Sequence, residues 1–282
     1  MADAHTDLLP PMAWNAWGDP ALAKPLSPAI RSLLEGALGV SGEDASPPGI
    51  DDVRLRPSTL AAADRDGLAA VVGDQYVRTG DHDRLLRAGG KSTPDLLRRR
   101  QIDQDAPDAV VLPWNDDDVA GVLDYCSQKR IAVVPFGGGT SVVGGLDPIR
   151  GEFDAVISLD LRRLDALHWL DEVSGEAELG AGLSGPEAER LLGERGFSIG
   201  HFPQSFRFAS IGGYAATRSS GQDSAGYGRF NDMVRGMRVI TPAGVIDVGR
   251  APASAAGPDL RELFARSEGT FGVINPVRLR GH

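Results

Sequence analysis

The chain has 282 residues, 41% hydrophobic and 24% charged, an ordinary globular composition with length for one or two domains and a sizeable core. Its formal net charge of -10 argues against nucleic acid and anionic lipid as partners, although a local basic patch would still serve an anionic substrate. The single cysteine, Cys126, rules out an internal disulfide and fits a reducing compartment.

The opening stretch MADAHTDLLPPMAW holds acidic residues and no apolar h-region, so no signal peptide is expected. No run approaches the length of a membrane span, and a cytoplasmic protein is the default expectation. SPAIRSLLEGALG predicts a short helix closed by Gly39. SGEDASPPGID reads as a turn-rich connector, and STLAAADRDGLAAVVG as a helix capped by Ser58 or Thr59. RLLRAGGKSTPDLLRRRQ joins a Gly-Gly turn to a helix beginning near Pro94.

From about Ala106 the pattern becomes regular. DAVVLP is a strand, and NDDDVAGVLDYCSQKR a helix capped by Asn115 or Asp116. Cys126 lies on that helix and is expected to be buried and unreactive. IAVVPF and DAVISLDL are β-branched strands. ALHWLDEVSGEAELGAG is a hairpin turning near Ser174-Gly175, and SGPEAERLLGERG a helix capped by Ser184 and stopped by Gly196. MRVITPAGVIDVG is a second hairpin around Pro242-Ala243-Gly244, PDLRELFARSEG a helix, and FGVINPVRLR a final strand. Hairpins mixed with crossover helices predict an α+β fold with two small sheets.

The loop VVPFGGGTSVVGG, Val133 to Gly145, is built to approach a ligand closely. No lysine follows the glycines, which excludes a Walker loop. The loop runs into LDPIRGEFDAV, whose Asp147-Pro148 and Gly151 are turn residues, so no helix follows to receive a pyrophosphate in the Rossmann manner. Two readings remain: a nest of backbone N–H groups for an anion, helped by Thr140 and Ser141, or a turn that lets two segments pack closely. A second stretch, PQSFRFASIGGYAATRSSGQDSAGYGRFNDM, combines small hydroxyl residues and glycines with Phe206, Phe208, Ile211 and Tyr214. Its polar groups need partners once buried, and a large polar cofactor supplies them; a polar surface loop is the alternative.

Together, PFGGGTSVVGG, PQSFRFASIGGYAATRSSGQDSAGYG, DMVRGMRVITPAGVI and GPDLRELFARSEGTFGVI resemble the FAD-binding domain of the vanillyl-alcohol oxidase / p-cresol methylhydroxylase superfamily. Within it the likeness is to the alkyldihydroxyacetonephosphate synthases and bacterial FAD-linked oxidases. The resemblance implies a PCMH-type domain over 105–282, made of two small α/β subdomains with FAD between them, after a partly helical region over 1–104. It also implies cofactor-binding positions. Pro135, Phe136, Gly137, Gly138, Gly139, Thr140 and Ser141 match the loop that cradles the FAD pyrophosphate. Gln204, Ser205 and Ser210 match a second FAD-contacting segment, where the family often has an acidic residue in place of Gln204. Gly212, Gly213, Thr217, Arg218, Ser219 and Ser220 match a third. Glu268, Gly269, Thr270, Gly272, Val273 and Ile274 match a closing segment beside the adenosine or flavin.

Some members of that superfamily tether the flavin through histidine, but the glycine loop and its flanks contain none, so noncovalent FAD is expected. His201, next to a cofactor segment, is read as structural or exposed with the ligand-facing position as the alternative, His168 as structural, and Arg218 as either a phosphate partner or half of an ion pair. The resemblance implies an FAD-dependent oxidoreductase whose flavin accepts a hydride or forms a substrate adduct. Its relatives take their substrate groups largely from a second domain, expected to be absent here because the sequence ends at VRLRGH just past the last block. No catalytic residue is nominated, no metal ligand is expected, and the small-molecule substrate is unassigned. The alternative expectation is a truncated flavin-binding module, inactive alone or completed by a partner subunit that carries the substrate domain.

Overall fold

The computed structural model describes residues 12–39, 47–249 and 257–282; the first part of the expected turn-rich connector (41–46) lies outside them. The first half of the chain forms α1 (Pro28–Leu38), β1 (Arg54–Leu55), α2 (Ala62–Val72), β2 (Val77–Arg78), α3 (Asp81–Leu86), α4 (Thr93–Arg98) and β3 (Asp103–Gln104). Next come β4 (Ala109–Val111), α5 (Asp116–Gln128), β5 (Ile131–Phe136), β6 (Ala155–Asp160), β7 (Leu167–Asp171), β8 (Glu176–Leu179) and α6 (Gly185–Gly193). The last part holds α7 (Ile211–Thr217), α8 (Ser224–Tyr227), α9 (Phe230–Met233), β9 (Val234–Thr241), β10 (Gly244–Val248), α10 (Leu260–Phe264) and β11 (Val273–Arg280).

These strands build two principal sheets, as the α+β reading requires. The first runs β2-β4-β6-β5, with β4, β6 and β5 parallel and β2 antiparallel at the edge. Every residue of β4 and β6 is buried, the signature of strands covered on both faces. One cover is α5, which presents Val119, Val122, Leu123 and Cys126 to the core, and α2 adds Leu68 and Val72. The second sheet runs β10-β9-β11-β8-β7 and is antiparallel throughout. Its core takes in Leu183, Ala188 and Leu192 from α6 and its approach, Ile211 and Tyr214 from α7, and Phe230 from α9. Ile240 of β9 and Val273 of β11 are buried in the core of the first sheet, so the two halves share an apolar seam.

Polar groups fix the same seam. Asp116, the first residue of α5, accepts hydrogen bonds from Arg238 of β9 at 2.7 Å and from Asn275 Nδ2 of β11 at 2.5 Å. Asn275 is itself buried, and its Oδ1 accepts from the Ala181 amide at 2.8 Å. One carboxylate thus ties a helix of the first sheet to two strands of the second.

A second buried charge stands at the carboxyl end of β6. Asp160 receives both Arg87, at 2.8 and 2.9 Å, and Arg162, at 2.9 Å. Burial alone would raise the Asp160 carboxyl, but the Arg162 and Arg87 guanidinium groups outweigh it and hold it below its ordinary value. Asp160 is directly opposite Phe136, the last residue of β5, so this ion pair lies at the base of the glycine loop.

Local expectations met the structure unevenly. Ser27, Asn115 and Ser184 cap their helices through side-chain oxygens as their residue types favour. Neither Ser58 nor Thr59 caps α2; Ala61 stands at that position without a side-chain bond. Thr59 is drawn instead to Asp108, which takes its backbone N–H at 2.7 Å. The second short helix begins one residue before Pro94 behind a Ser92/Asp95 capping box. Cys126 is buried, with its thiol pushed up to about 12 by burial. Among the described residues no helix is long and apolar enough to cross a membrane, and no group of metal-ligating side chains gathers.

Replacing Asn275 by alanine strands the buried Ala181 amide and removes one donor from Asp116. The expected cost is about 2–4 kcal/mol of unfolding free energy, measured by chemical denaturation, and an unchanged midpoint would show that the seam does not depend on this residue.

Candidate functional site

The carboxyl ends of parallel strands are where open α/β sheets leave room for ligands, and β5 delivers its glycine loop there. The loop faces the second half of the molecule across a cleft of about 320 Å³. Pro135 to Ser141 and Leu161 form one wall; α7, its approach and the start of β11 form the other.

Glycine is required in the loop because two backbones meet there. A Cβ on Gly138 would lie 1.9 Å from the Phe208 carbonyl oxygen, and one on Gly137 would lie 2.3 Å from Ser210 Oγ. Gly139 adopts φ +70°, a conformation costly for any side chain. Ser210 in turn caps α7 by accepting from the Gly213 amide. Behind the loop, Gly90 packs so tightly that its Cβ would lie 2.1 Å from the Ser141 carbonyl, and the Lys91 amide donates to that carbonyl at 2.7 Å. The Lys91 ammonium, lowered to about 7 by burial, donates to the carbonyls of Ala13 and Trp14. The RAGGKS segment therefore braces the loop from outside the cleft.

The cleft wall presents backbone, glycine and hydroxyl groups. Of the positions expected to meet a cofactor, Pro135, Phe136, Gly137, Gly138, Gly139, Thr140 and Ser141 line it. So do Ser205, Ser210, Gly212, Gly213, Thr217, Ser219, Glu268, Gly269, Gly272, Val273 and Ile274. Ser141 Oγ is buried and finds no hydrogen-bond partner among the described residues. A loop shaped for close backbone approach, with an orphaned hydroxyl inside it, fits a phosphate-bearing ligand. Glu268 holds φ +49°, and burial raises its carboxyl above the ordinary value against the opposing Arg266.

Four expected positions are off the wall. Gln204, Ser220 and Thr270 are exposed to solvent. Arg218 turns the end of α7 at φ +49° and pairs with Glu262 at 3.0 Å, so its charge is spent on α10. His201 is buried behind the wall, against the rings of Tyr214 and Phe230 at 4.8 and 5.2 Å, with Nε2 2.9 Å from Ser219 Oγ. His168 is exposed on β7 instead of packing structurally, in a groove it shares with Asp116 and Arg238.

Sequence reasoning missed part of the apolar wall, Val142, Val143, Leu146, Leu161 and Ala216, and read Tyr214 only as a buried residue of the second stretch. Attention to glycine and hydroxyl groups passed over them. The available signal was the pair of valines directly after Thr140-Ser141 in an otherwise polar loop; the fold leaves them 56% and 67% accessible. The seven-residue α7 was missed as well, because its two glycines read as loop.

Comparison with known proteins identifies the family and the fold. Residues 107–249 match the family described as FAD binding domain. The alkyldihydroxyacetonephosphate synthase of Trypanosoma brucei brucei is 34% identical over 293 residues, 95% of this chain and 48% of that protein. The mitochondrial D-lactate dehydrogenase [cytochrome] of Arabidopsis thaliana is 38% identical over 176 residues, 62% of this chain and 30% of that protein. A solved alkyldihydroxyacetonephosphate synthase superposes with a TM-score of 0.85 at 27% identity, covering 100% of this chain and 56% of that one. The chain thus spans about half the length of the synthases it matches.

Two outcomes follow from the geometry. Gly138→Ala forces the loop and the Phe208 segment apart and lowers stability by about 1–3 kcal/mol, read by chemical denaturation; wild-type stability would show that the approach is loose. Burial lowers His201 to about 4 from its ordinary 6.5. Between those values the unfolded chain binds the extra proton, so stability is full above about pH 6.5 and falls by roughly 1–3 kcal/mol toward pH 4. His201→Phe should flatten that part of the pH profile of stability.

Proposed function

The chain belongs to the FAD binding domain family, and from that premise we propose that the cleft between its two sheets holds FAD noncovalently as the redox centre of an FAD-linked oxidoreductase. The observation that carries the proposal is the glycine loop, held on both sides by backbone contacts, with the unpartnered Ser141 hydroxyl inside it. On this reading the amides of Gly137 to Ser141 and the hydroxyls of Thr140 and Ser141 meet the pyrophosphate. Ser205, Ser210, Thr217 and Ser219 serve the polar edges of the rest of the cofactor. Phe136, Leu161, Val273 and Ile274 exclude water from its flat faces.

Bound FAD supplies two-electron chemistry at its ring system, and the protein supplies binding, orientation and exclusion of water. Noncovalent attachment is supported by where the nucleophiles lie. Cys126 is inside the first core with its thiol pushed up to about 12, and His201 lies behind Ser219. A reducing, cytoplasmic setting belongs to the same proposal and rests on that single buried thiol. Gln204, Arg218, Ser220 and Thr270 have no direct part in it, because their side chains leave the cleft.

The test is titration of the purified chain with FAD, followed by quenching of flavin fluorescence. Saturable one-to-one binding that denaturation fully reverses is expected, with Ser141→Ala weakening it about fivefold, the worth of one hydrogen bond. A chain that neither retains nor takes up FAD overturns the reading. Anaerobic bleaching of the bound flavin by a hydroxy acid such as D-lactate would establish the redox role, and a flavin that no reductant of this class bleaches would remove it.

A further inference from the structure

We propose that His201 is a positioning residue: as the Nε2–H tautomer it donates to Ser219 Oγ and so commits the Ser219 hydroxyl proton to the cleft, toward an acceptor atom of FAD. The inference rests on FAD occupying the cleft, and it assigns a role to a buried histidine that touches no part of that cleft itself.

The argument starts from the imidazole. His201 is 2% exposed and wedged between the rings of Tyr214 and Phe230. Nε2 lies 2.9 Å from Ser219 Oγ, while Nδ1 is buried and finds no partner among the described residues. A doubly protonated ring would place a charge in this apolar setting, which burial opposes. A neutral ring carries one proton. On Nδ1 that proton would be a buried donor without an acceptor, an arrangement folded proteins rarely tolerate; a bare lone pair there costs less. The proton therefore belongs on Nε2, and Ser219 Oγ is its acceptor.

The serine then has no freedom left. Its backbone is fixed on both sides: its N–H donates to Tyr214 O at 3.0 Å, and its C=O accepts from the Phe230 N–H at 3.0 Å. A hydroxyl that accepts from Nε2 keeps its own proton to give elsewhere, and Ser219 lines the cleft. Ser219 lies just past the end of α7, whose first turn is capped by the Ser210 that meets the glycine loop. The acceptor it serves is a carbonyl oxygen, ring nitrogen or hydroxyl oxygen of the cofactor. The opposite tautomer would turn Ser219 into an acceptor and reverse the ligand chemistry at that end of the cleft.

The tautomer is read directly by two-bond ¹H–¹⁵N correlation on the ¹⁵N-labelled full chain, with His201 assigned by loss of its signals in His201→Phe. Nε2–H is expected, and an Nδ1–H directed at a neighbouring ring overturns the proposal. FAD titration supplies the second readout. Ser219→Ala should raise Kd about tenfold and His201→Phe about threefold. The double variant should be no weaker than Ser219→Ala alone, and His201→Gln, whose amide can donate, should return Kd to within about twofold of the parent. Multiplying effects, or no effect of His201→Phe, overturn the proposal even with FAD bound normally. If His201→Phe fails to fold, the tautomer in the parent and the Kd of Ser219→Ala decide between them. A parent chain that binds no FAD defeats the functional reading and this one with it, and the tautomer distinguishes that case from failure of the His201–Ser219 relation.

Discussion

The carboxylate of Asp116 is where the two halves of the molecule agree on their relative position. It heads α5, whose apolar face is sealed against the first sheet, and it accepts from β9 through Arg238 and from β11 through Asn275. A cleft between two sheets is only as well defined as the angle between them. Here that angle is set by directional bonds to one residue and by Ile240 and Val273, which enter the opposite core. The glycine loop depends on this placement. Its inner surface fits Phe208 to Ser210 with no space for a methyl group, and its outer surface fits Gly90 in the same way.

Among the described residues, no lysine or arginine lines the resulting cleft. Arg218 is paired with Glu262, Lys91 is turned outward to Ala13 and Trp14, and Arg87 and Arg162 are engaged by Asp160. What remains are amide and hydroxyl dipoles held by packing, which need no reorganisation when a ligand arrives. A site of this kind selects by shape and by the direction of its donors. That is why the orientation of one hydroxyl proton at Ser219 carries weight.

Much of this was legible in the chain. The FGGGTS loop, the SIGG segment and the EGTFGVI turn are local features, since glycine where backbones touch and hydroxyls where donors are needed leave a mark on the sequence itself. The α+β order was readable for the same reason: hairpins at Ser174-Gly175 and Pro242-Ala243-Gly244 separate strands by their turn residues. Side-chain direction was another matter. Nothing local distinguishes Arg218, which bends away to Glu262, from Thr217 beside it, which lines the cleft. The role of His201 depends on Ser219, eighteen residues away, and on two aromatic rings that fold around it. Apart from Val142 and Val143 the apolar wall left little mark, because Leu161 and Tyr214 look like ordinary core residues until the cleft is assembled.

The order of strands in the second sheet bears on how the protein comes to exist. β11 lies at its centre, between β9 and β8, yet it is made after the four strands it joins. Until residue 280 has left the ribosome, β7-β8 and β9-β10 are two hairpins with no strand to join them, and isolated hairpins are at best marginally stable. Their inward faces, Leu179 and Val239 among them, stay uncovered through that interval. Synthesis thus passes through a nascent species with half a core and open strand edges, the kind that aggregates or engages chaperones. The strand that completes the cleft wall is the same one that ends this exposure.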